Sequence, residues 1–172
     1  MPIASTLAQA LPQPQFHHFS VMLQLPESVY RELRRHGEET YPHECCGVLV
    51  GTASGSGKCV AQAVPVRNAS PVNKHHHYRI DPVELIRAER EARAAGLEIL
   101  GFYHSHPDHP PEWSPTDLEE AHWLGCSYAI TTVVNGLATE TRSFHLAGSS
   151  EENKRFEAEE IQLLSNSLES EE

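Results

Sequence analysis

The chain has 172 residues, a length typical of one domain, and 39% of them are hydrophobic, which is enough for a single packed core. Its formal net charge is −11 with neutral histidines, which excludes nucleic acid as an expected partner because phosphates are bound by clustered Lys and Arg. No apolar run approaches the roughly 20 residues that span a membrane. The N-terminus also lacks the basic region and the sustained apolar stretch of a signal peptide, so we expect a cytoplasmic protein with no membrane partner.

The beginning of the chain predicts an extension, a strand and a helix. Residues 1–20 are rich in Gln, Pro, Ser and Ala and show no periodicity, so we expect a flexible extension outside the domain. An alternating run predicts a strand at 21–25. Helical spacing then predicts an amphipathic helix at 27–39, which ends before Pro42 because the residue before a proline is pushed out of the helical region.

Glycine and proline divide the rest of the chain into short elements. The predicted strands are 46–51, 59–65, Tyr78 to Ile80, 98–106, 127–134 and 137–146. The predicted helices run from Pro82 to Ala95 and from Pro115 to about Leu124, each after a residue that can cap it. Asn135-Gly136 is a strong hairpin signal between the last two strands. This order predicts a mixed sheet with helices packed on it, in a domain spanning 21–147.

The segment after this domain, 148–172, is acidic and is expected to form a partly helical tail. Phe156, Ile161 and Leu164 predict one helix within it, and the last few residues are expected to be disordered.

The four cysteines form neither a metal pattern nor a disulfide framework. Adjacent Cys45 and Cys46 do not have the CysXXCys spacing of zinc sites, and Cys59 and Cys126 stand apart. We expect small buried residues in a reducing compartment. The alternative is a reactive thiol at Cys45, because it directly follows Glu44, a candidate site residue discussed below.

The segment 101–117 contains the residues that indicate chemistry. His104 and His106 are two positions apart, which places both side chains on the same face of a strand. Asp117 follows eleven positions later, in the first turn of the helix that Ser114 is predicted to cap. Two imidazole nitrogens and one carboxylate oxygen can hold one Zn²⁺ and leave a fourth position for water, as in catalytic zinc sites.

A zinc-activated water also needs a group that takes its proton, and Glu44 is the best candidate. It stands at the entry to the apolar strand 46–51, where a charge is otherwise costly, and that strand could pair beside the histidine strand. Ser114 could donate its hydroxyl to the oxyanion of a tetrahedral intermediate. Taken singly, Asp117 also suits a first-turn helix position and Ser114 a simple N-cap. The loop histidines are expected to be solvated: His43, His75, His76, His77 and His109.

The combination resembles the signature of the JAMM (MPN+) metalloprotease family. That signature is HisXHisPro, a six-residue spacer and SerXXAsp, with an upstream Glu; this chain has HisSerHisPro from His104 and SerProThrAsp from Ser114 at that spacing. The stretches TyrProHisGluCysCysGlyValLeuValGly and GlyPheTyrHisSerHisPro resemble the family's bacterial branch. The resemblance runs from about Val21 to Leu146.

The resemblance implies a fold, a site and a substrate. The fold would be an α/β (α+β) JAMM/MPN domain, a curved mixed sheet flanked by helices and related to cytidine deaminases. His104, His106 and Asp117 would ligate one Zn²⁺, Glu44 would be the general acid/base, and Ser114 would stabilise the oxyanion. The substrate would be the peptide or isopeptide bond after the C-terminal Gly-Gly of a ubiquitin-like, β-grasp sulfur-carrier protein. Short bacterial members of the family trim the tail of such a carrier or release cysteine from it.

Two other functions are considered. Some relatives have lost their ligands and serve as non-catalytic MPN-type scaffolds that bind a ubiquitin-like partner, but this chain keeps all three ligands and Glu44. A small-amide hydrolase or a base deaminase is the other possibility, but the CysXXCys pair of zinc deaminases is absent from the sequence.

Overall fold

The computed structural model describes residues 22–55 and 57–165, so the expected extension at 1–20 and the last residues lie outside the described part of the chain. The helices within it are α1 (Glu27–Thr40), α2 (Pro82–Ala94) and α3 (Pro115–Glu120). The strands are β1 (Met22–Pro26), β2 (Cys46–Ser54), β3 (Gly57–Val66), β4 (Glu98–Pro107), β5 (Ser127–Val134), β6 (Leu137–Ala147) and β7 (Arg155–Leu164). None of these helices has the length and apolar character needed to cross a membrane.

The strands form a closed barrel in the order β1-β3-β2-β4-β5-β6-β7, in which β7 returns to pair with β1. β1 runs parallel to β3 and β7, and β4 runs parallel to β5, whereas the other pairs are antiparallel. The predicted α+β fold with a mixed sheet and packed helices is confirmed. Its closure into a barrel goes beyond the sheet expected from the element order.

Two apolar cores hold the helices against the strands. Leu33 of α1 lies in one core and Ala88 of α2 lies in the other. β4 contributes to both, because Tyr103 belongs to the first and its neighbour Phe102 to the second. β4 is therefore packed on both faces, and the residues that follow Tyr103 start from a rigid strand.

Three elements differ in length from their prediction. β2 and β3 continue to Ser54 and Gly57, because their ladder extends past Gly51, so the connecting turn is tighter than expected. α3 ends at Glu120 rather than near Leu124. Ala121 leaves the helical conformation and is buried in the core beside α2.

The predicted strand from Tyr78 to Ile80 is wrong, because these residues lie in the loop between β3 and α2. The Arg79 N–H donates to the side-chain oxygen of Asn68 at 3.2 Å, and the Arg79 carbonyl accepts from the Ala69 N–H at 2.8 Å. The backbone groups that would join a sheet are thus satisfied within the loop.

The helix predicted through Phe156, Ile161 and Leu164 is also wrong, because this segment is β7. β7 pairs with β6 on one edge and with β1 on the other, and Phe156 packs against Tyr128 with ring centroids 5.2 Å apart. The partners in these hydrogen bonds and contacts are distant in sequence, so the sequence of the segment itself does not predict a strand. The division predicted at residue 147 therefore separates β7 from the sheet that it closes.

A buried polar network ties β7 to three other strands. The Lys58 ammonium of β3 lies 3.3 Å from the Glu159 carboxylate of β7, and both side chains are almost completely buried. Lys58 also donates to Ser127 Oγ of β5 at 2.7 Å, and Ser143 Oγ of β6 donates to the second carboxylate oxygen of Glu159 at 2.7 Å. A buried ion pair is tolerated where further hydrogen bonds satisfy both ions, and both ions have them here.

We expect Glu159→Ala to lower the free energy of unfolding by about 3 to 5 kcal/mol, because it leaves the Lys58 ammonium buried without its counterion. Urea unfolding followed by circular dichroism measures the change. Glu157→Ala is the matched control, since Glu157 lies on the same strand with an exposed side chain, and we expect it to cost less than about 0.5 kcal/mol. Equal effects of the two substitutions would contradict the role given to the network.

Candidate metal centre

β4 presents His104 and His106 on one face, because side chains alternate along a strand. The two residues are 2% and 7% exposed. Their Nε2 atoms lie 3.1 Å apart, so two nitrogen donors converge on one point.

The first turn of α3 brings the Asp117 carboxylate to the same point. Ser114 Oγ accepts a hydrogen bond from the Asp117 N–H at 3.1 Å, and the carboxylate accepts in return from the Ser114 N–H at 2.6 Å. This reciprocal pair is a capping box, and it confirms the predicted N-cap. One carboxylate oxygen then lies 3.3 Å from His104 Nε2, and the other lies 3.6 Å from His106 Nε2.

Electrostatics favour an ionised Asp117 beside a neutral His104. Burial alone raises the pKa of Asp117, but His104, His106 and the Ser114 N–H outweigh it and hold this pKa far below the usual range of a carboxyl. Burial lowers the pKa of His104, although the charge of Asp117 acts in the other direction. An anionic oxygen beside unprotonated imidazole nitrogen is a donor set that suits a divalent transition metal.

The three donor atoms fit a tetrahedral zinc ion. In the described part of the chain they form the one group of at least three His, Cys, Asp or Glu ligand atoms within 4.8 Å of one another. Metal bonds of about 2.1 Å at tetrahedral angles separate ligand atoms by about 3.4 Å. The two histidine nitrogens are 3.1 Å apart, and each lies 3.3 or 3.6 Å from one of the two Asp117 carboxylate oxygens, so all three distances are close to that value.

The surroundings of each histidine also bear on metal binding. His106 Nδ1 contacts the Pro110 carbonyl at 2.8 Å, and a proton donated there leaves Nε2 free for a metal. His104 Nδ1 is buried and has no hydrogen-bond partner in the described structure. The His104 ring stacks instead on Tyr78, with centroids 4.4 Å apart, so an aromatic contact holds its plane.

The ladder between β2 and β4 places Glu44 beside the histidines. Its register pairs Cys46 with His104, which brings Glu44, two residues before Cys46, to the level of His106. The predicted pairing of these two strands is confirmed. Glu44 is 5% exposed, and among the described residues no side chain donates a hydrogen bond to its carboxylate.

Burial, with the nearby charges of Asp117 and Glu120, raises the pKa of Glu44 to about 9. A carboxyl whose proton affinity is raised in this way can take up a proton near neutral pH and give it back. This is the property that a general acid/base requires.

The adjacent cysteines are packing residues. Cys45 and Cys46 are 2% and 0% exposed. Burial raises the pKa of Cys45 to about 12 and also raises that of Cys46. Because thiolates then do not form near neutral pH, the structure disfavours a reactive Cys45. Cys126 is buried as expected, whereas Cys59 is exposed.

The loop between β3 and α2 contributes contacts that the sequence analysis does not identify. His77 Nε2 lies 2.9 Å from the Glu120 carboxylate of α3, and His77 Nδ1 lies 2.5 Å from Ser70 Oγ. The expectation of a solvated His77 is therefore wrong, whereas His43, His76 and His109 are exposed as expected. Half-buried His75 contacts the Pro42 carbonyl. No sequence spacing links this loop to α3, so only the fold reveals the contact.

A cavity of about 560 Å³ lies behind Tyr78, and none of His104, His106 and Asp117 lines it. Phe102, Trp123 and Tyr128 line it together with Tyr78, the residue that stacks on His104.

We expect the purified protein to bind one zinc ion per chain and Asp117→Asn to weaken that affinity by about a hundredfold, because the anionic ligand is lost. Elemental analysis and competition with a chromogenic chelator measure stoichiometry and affinity. Glu119→Gln removes an exposed carboxylate from the same helix and should leave both unchanged. A wild-type protein without stoichiometric zinc, or equal losses in the two variants, would refute this site.

The metal-free protein should lose stability through Glu44 as the pH rises. The folded state binds this proton more tightly than an ordinary carboxyl of pKa 4.5 does, so unfolding becomes easier from about pH 4.5 to about pH 9. We expect metal-free Glu44→Gln to be more stable than wild type by about 2 kcal/mol at pH 8 and equal to it at pH 4. Thermal unfolding at both pH values measures the difference, and exposed Glu39→Gln is the control. A gain in the stability of Glu44→Gln at pH 4 as large as that at pH 8 would contradict the titration of Glu44.

Comparisons with known proteins agree with this geometry. Residues 26–147 match the family model described as prokaryotic homologs of the JAB domain. A desampylase from Haloferax volcanii is 36% identical over 104 residues, which are 60% of this chain and 73% of that protein. A probable TtuB-protein conjugate cleaving protease from Thermus thermophilus is 31% identical over 106 residues, 62% of this chain and 68% of that protein.

Solved structures show the same fold. The solution structure of a protein from Desulfitobacterium hafniense matches with a TM-score of 0.72 at 27% identity, over 84% of this chain and 94% of that one. A solution structure from Salinibacter ruber matches with a TM-score of 0.62 at 32% identity, over 87% and 95% of the two chains. A JAB1/MPN domain protein from Archaeoglobus fulgidus has a TM-score of 0.53 at 13% identity, over 84% and 98%. Because the family model covers more than half of the chain, this protein belongs to the prokaryotic JAB-domain family, and the JAMM/MPN membership predicted from its sequence is confirmed.

Proposed function

We propose that this protein is a zinc-dependent peptidase that hydrolyses the bond after the C-terminal Gly-Gly of a ubiquitin-like sulfur-carrier protein. The observation that carries the proposal is the convergence of three potential metal ligands near a buried carboxyl. Three ligands alone fit many metal sites. A carboxyl with raised proton affinity next to them favours hydrolysis.

His104, His106 and Asp117 are the residues that would hold the ion. Zinc bound there would supply Lewis-acid chemistry that makes water a nucleophile near neutral pH.

Glu44 would move the protons of the reaction. The register of β2 and β4 brings residue 44 to the level of His106, and its carboxyl would accept a proton from water and pass it to the nitrogen of the leaving group. In the metal-free protein, burial and the charges of Asp117 and Glu120 raise the pKa of Glu44, and this stabilises the protonated form that would carry the proton between the two transfers.

Ser114 would stabilise the negative oxygen that forms when water adds to the carbonyl. Its Oγ accepts the Asp117 N–H as the helix cap, and this uses an acceptor position only. The hydroxyl hydrogen is therefore left for donation to the oxyanion.

The relatives support a substrate of the ubiquitin-like class, since one is named a desampylase and another a TtuB-protein conjugate cleaving protease. The burial of the site supports a Gly-Gly tail. His104 and His106 are 2% and 7% exposed, so a scissile bond reaches them most easily in an extended segment without bulky side chains. Retention of every ligand and of Glu44 argues against the alternative of a non-catalytic scaffold.

We expect the wild-type enzyme to convert a carrier with an extended tail into a product that ends in Gly-Gly, as measured by intact-mass spectrometry. Three carriers separate the possible leaving groups: one with a peptide after Gly-Gly, one with a single cysteine, and one joined to a lysine of a folded protein. Chelation should abolish cleavage and zinc should restore it. Glu44→Gln should retain zinc and lower kcat by about a thousandfold, because proton transfer is lost, whereas exposed Glu39→Gln should not change it.

Each arm has its own contrary result. Cleavage of none of the three carriers rejects the substrate class, and cleavage that survives chelation rejects the metal. Full activity of Glu44→Gln rejects only the role given to Glu44 and leaves the metal and the substrate class in place.

A further inference from the structure

The Asn68 side chain is the centre of four hydrogen bonds in the loop between β3 and α2. Its Oδ1 accepts from the Ser70 N–H at 2.9 Å and from the Arg79 N–H at 3.2 Å. Its Nδ2 donates to the Glu44 carbonyl at 3.1 Å and to the His77 carbonyl at 2.9 Å. The oxygen therefore bonds to two backbone groups of the loop. The nitrogen links the loop to the backbone of Glu44, the residue whose pKa is raised.

Glu44 lies two residues before β2, which begins at Cys46. The backbone of Glu44 is therefore outside the strand ladder and depends on this loop. Its N–H donates to the Lys74 carbonyl at 2.7 Å, and its carbonyl accepts from Asn68. Both backbone groups of Glu44 are thus held by the loop and not by the strand ladder.

The same loop also contacts the elements that carry the metal ligands. Tyr78 stacks on His104 of β4 at 4.4 Å, and His77 lies 2.9 Å from Glu120 of α3, three residues after Asp117. A displacement of the loop would therefore move Glu44 relative to the three ligands. Misplacement of a catalytic group by about 1 Å can cost about a hundredfold in rate.

We infer that Asn68 is a positioning residue, which sets the place of the Glu44 carboxyl against the metal centre through its two donated hydrogen bonds. The inference rests on the proposed function. It deepens that function by assigning a role to a residue outside the metal-ligand signature.

Asn68→Asp separates the two halves of the network. The Asp retains an oxygen for the N–H groups of Ser70 and Arg79, but it presents a second acceptor to the carbonyls of Glu44 and His77 and repels them. We expect kcat on a cleaved carrier to fall about tenfold to a hundredfold, with KM changed less than about twofold and the zinc content unchanged.

Asn73→Asp is the matched control in the same loop. Among the described residues, the Asn73 side chain bonds only through Oδ1, which accepts from the His75 N–H at 3.0 Å, and an Asp keeps that bond. We expect wild-type kcat from this variant. Asn68→Ala removes all four bonds without adding charge. If Asn68→Asp does not fold, Asn68→Ala replaces it in the experiment, and we expect the same loss of kcat.

A double substitution shows whether Asn68 acts through Glu44. In a Glu44→Gln background, Asn68→Asp should cause no further loss of the residual rate, because the group that it positions is already gone. Full kcat of the single Asn68 variants, or an equal loss in both backgrounds, would overturn the inference.

A readout without substrate separates this inference from the proposed function. Exchange of the Glu44 amide hydrogen should be about tenfold faster in Asn68→Asp, because the loop that accepts it is released, and unchanged in Asn73→Asp. An inactive wild type with this acceleration counts against the proposed function only, whereas unchanged exchange counts against Asn68 as the residue that holds Glu44.

Discussion

The antiparallel ladder between β2 and β4 is the constraint on which the site depends. It pairs Cys46 with His104, and so it fixes how far the start of one strand lies from the end of the other. Ser105, between the two histidines, continues the connection beyond the ladder: its Oγ accepts from the Cys45 N–H at 2.8 Å, and its own N–H donates to the Cys45 carbonyl. A slip of one residue would turn both histidines away from Glu44, since neighbouring side chains lie on opposite faces.

Asp117 shows how one side chain can serve both the fold and the site. Its carboxylate completes the cap of a helix of six residues that buries none of its own side chains, and the same oxygens face His104 and His106. α3 therefore depends on its cap, on the metal centre and on the partly buried Leu118, which packs against the core beside α2. Because a metal that binds only the folded state stabilises it, metal affinity and the order of this turn are linked.

Local patterns were enough to predict the parts of the molecule that are specified locally. Glycine, proline and capping signals located α2, β5, the Asn135-Gly136 turn and the start of α3, each within a residue or two. The spacing of His104, His106 and Asp117 anticipated a group that the structure brings within 4.8 Å.

The misses at β7, at Glu44 and at His77 share a physical cause, because each depends on contacts that no local pattern specifies. β7 forms through β1 and β6, and the loop that holds Glu44 is organised by the Asn68 side chain rather than by a strand. His77 meets Glu120 across 43 positions. None of these contacts has a periodicity or a fixed spacing, so a single sequence carries no sign of them.

The pairing of β1 with β7 has a consequence for how the molecule is made. Met22 and Glu160 are neighbours in the sheet, although almost the whole described chain separates them. During synthesis β2, β4 and α3 leave the ribosome before β7 exists, so the histidines and Glu44 can come together in a sheet that is still open. The barrel then closes only when the last strand arrives, and such a long-range closure is slow compared with local pairing. Until that moment the edge of β1 that β7 will cover is unpaired, and such an edge can pair with another chain.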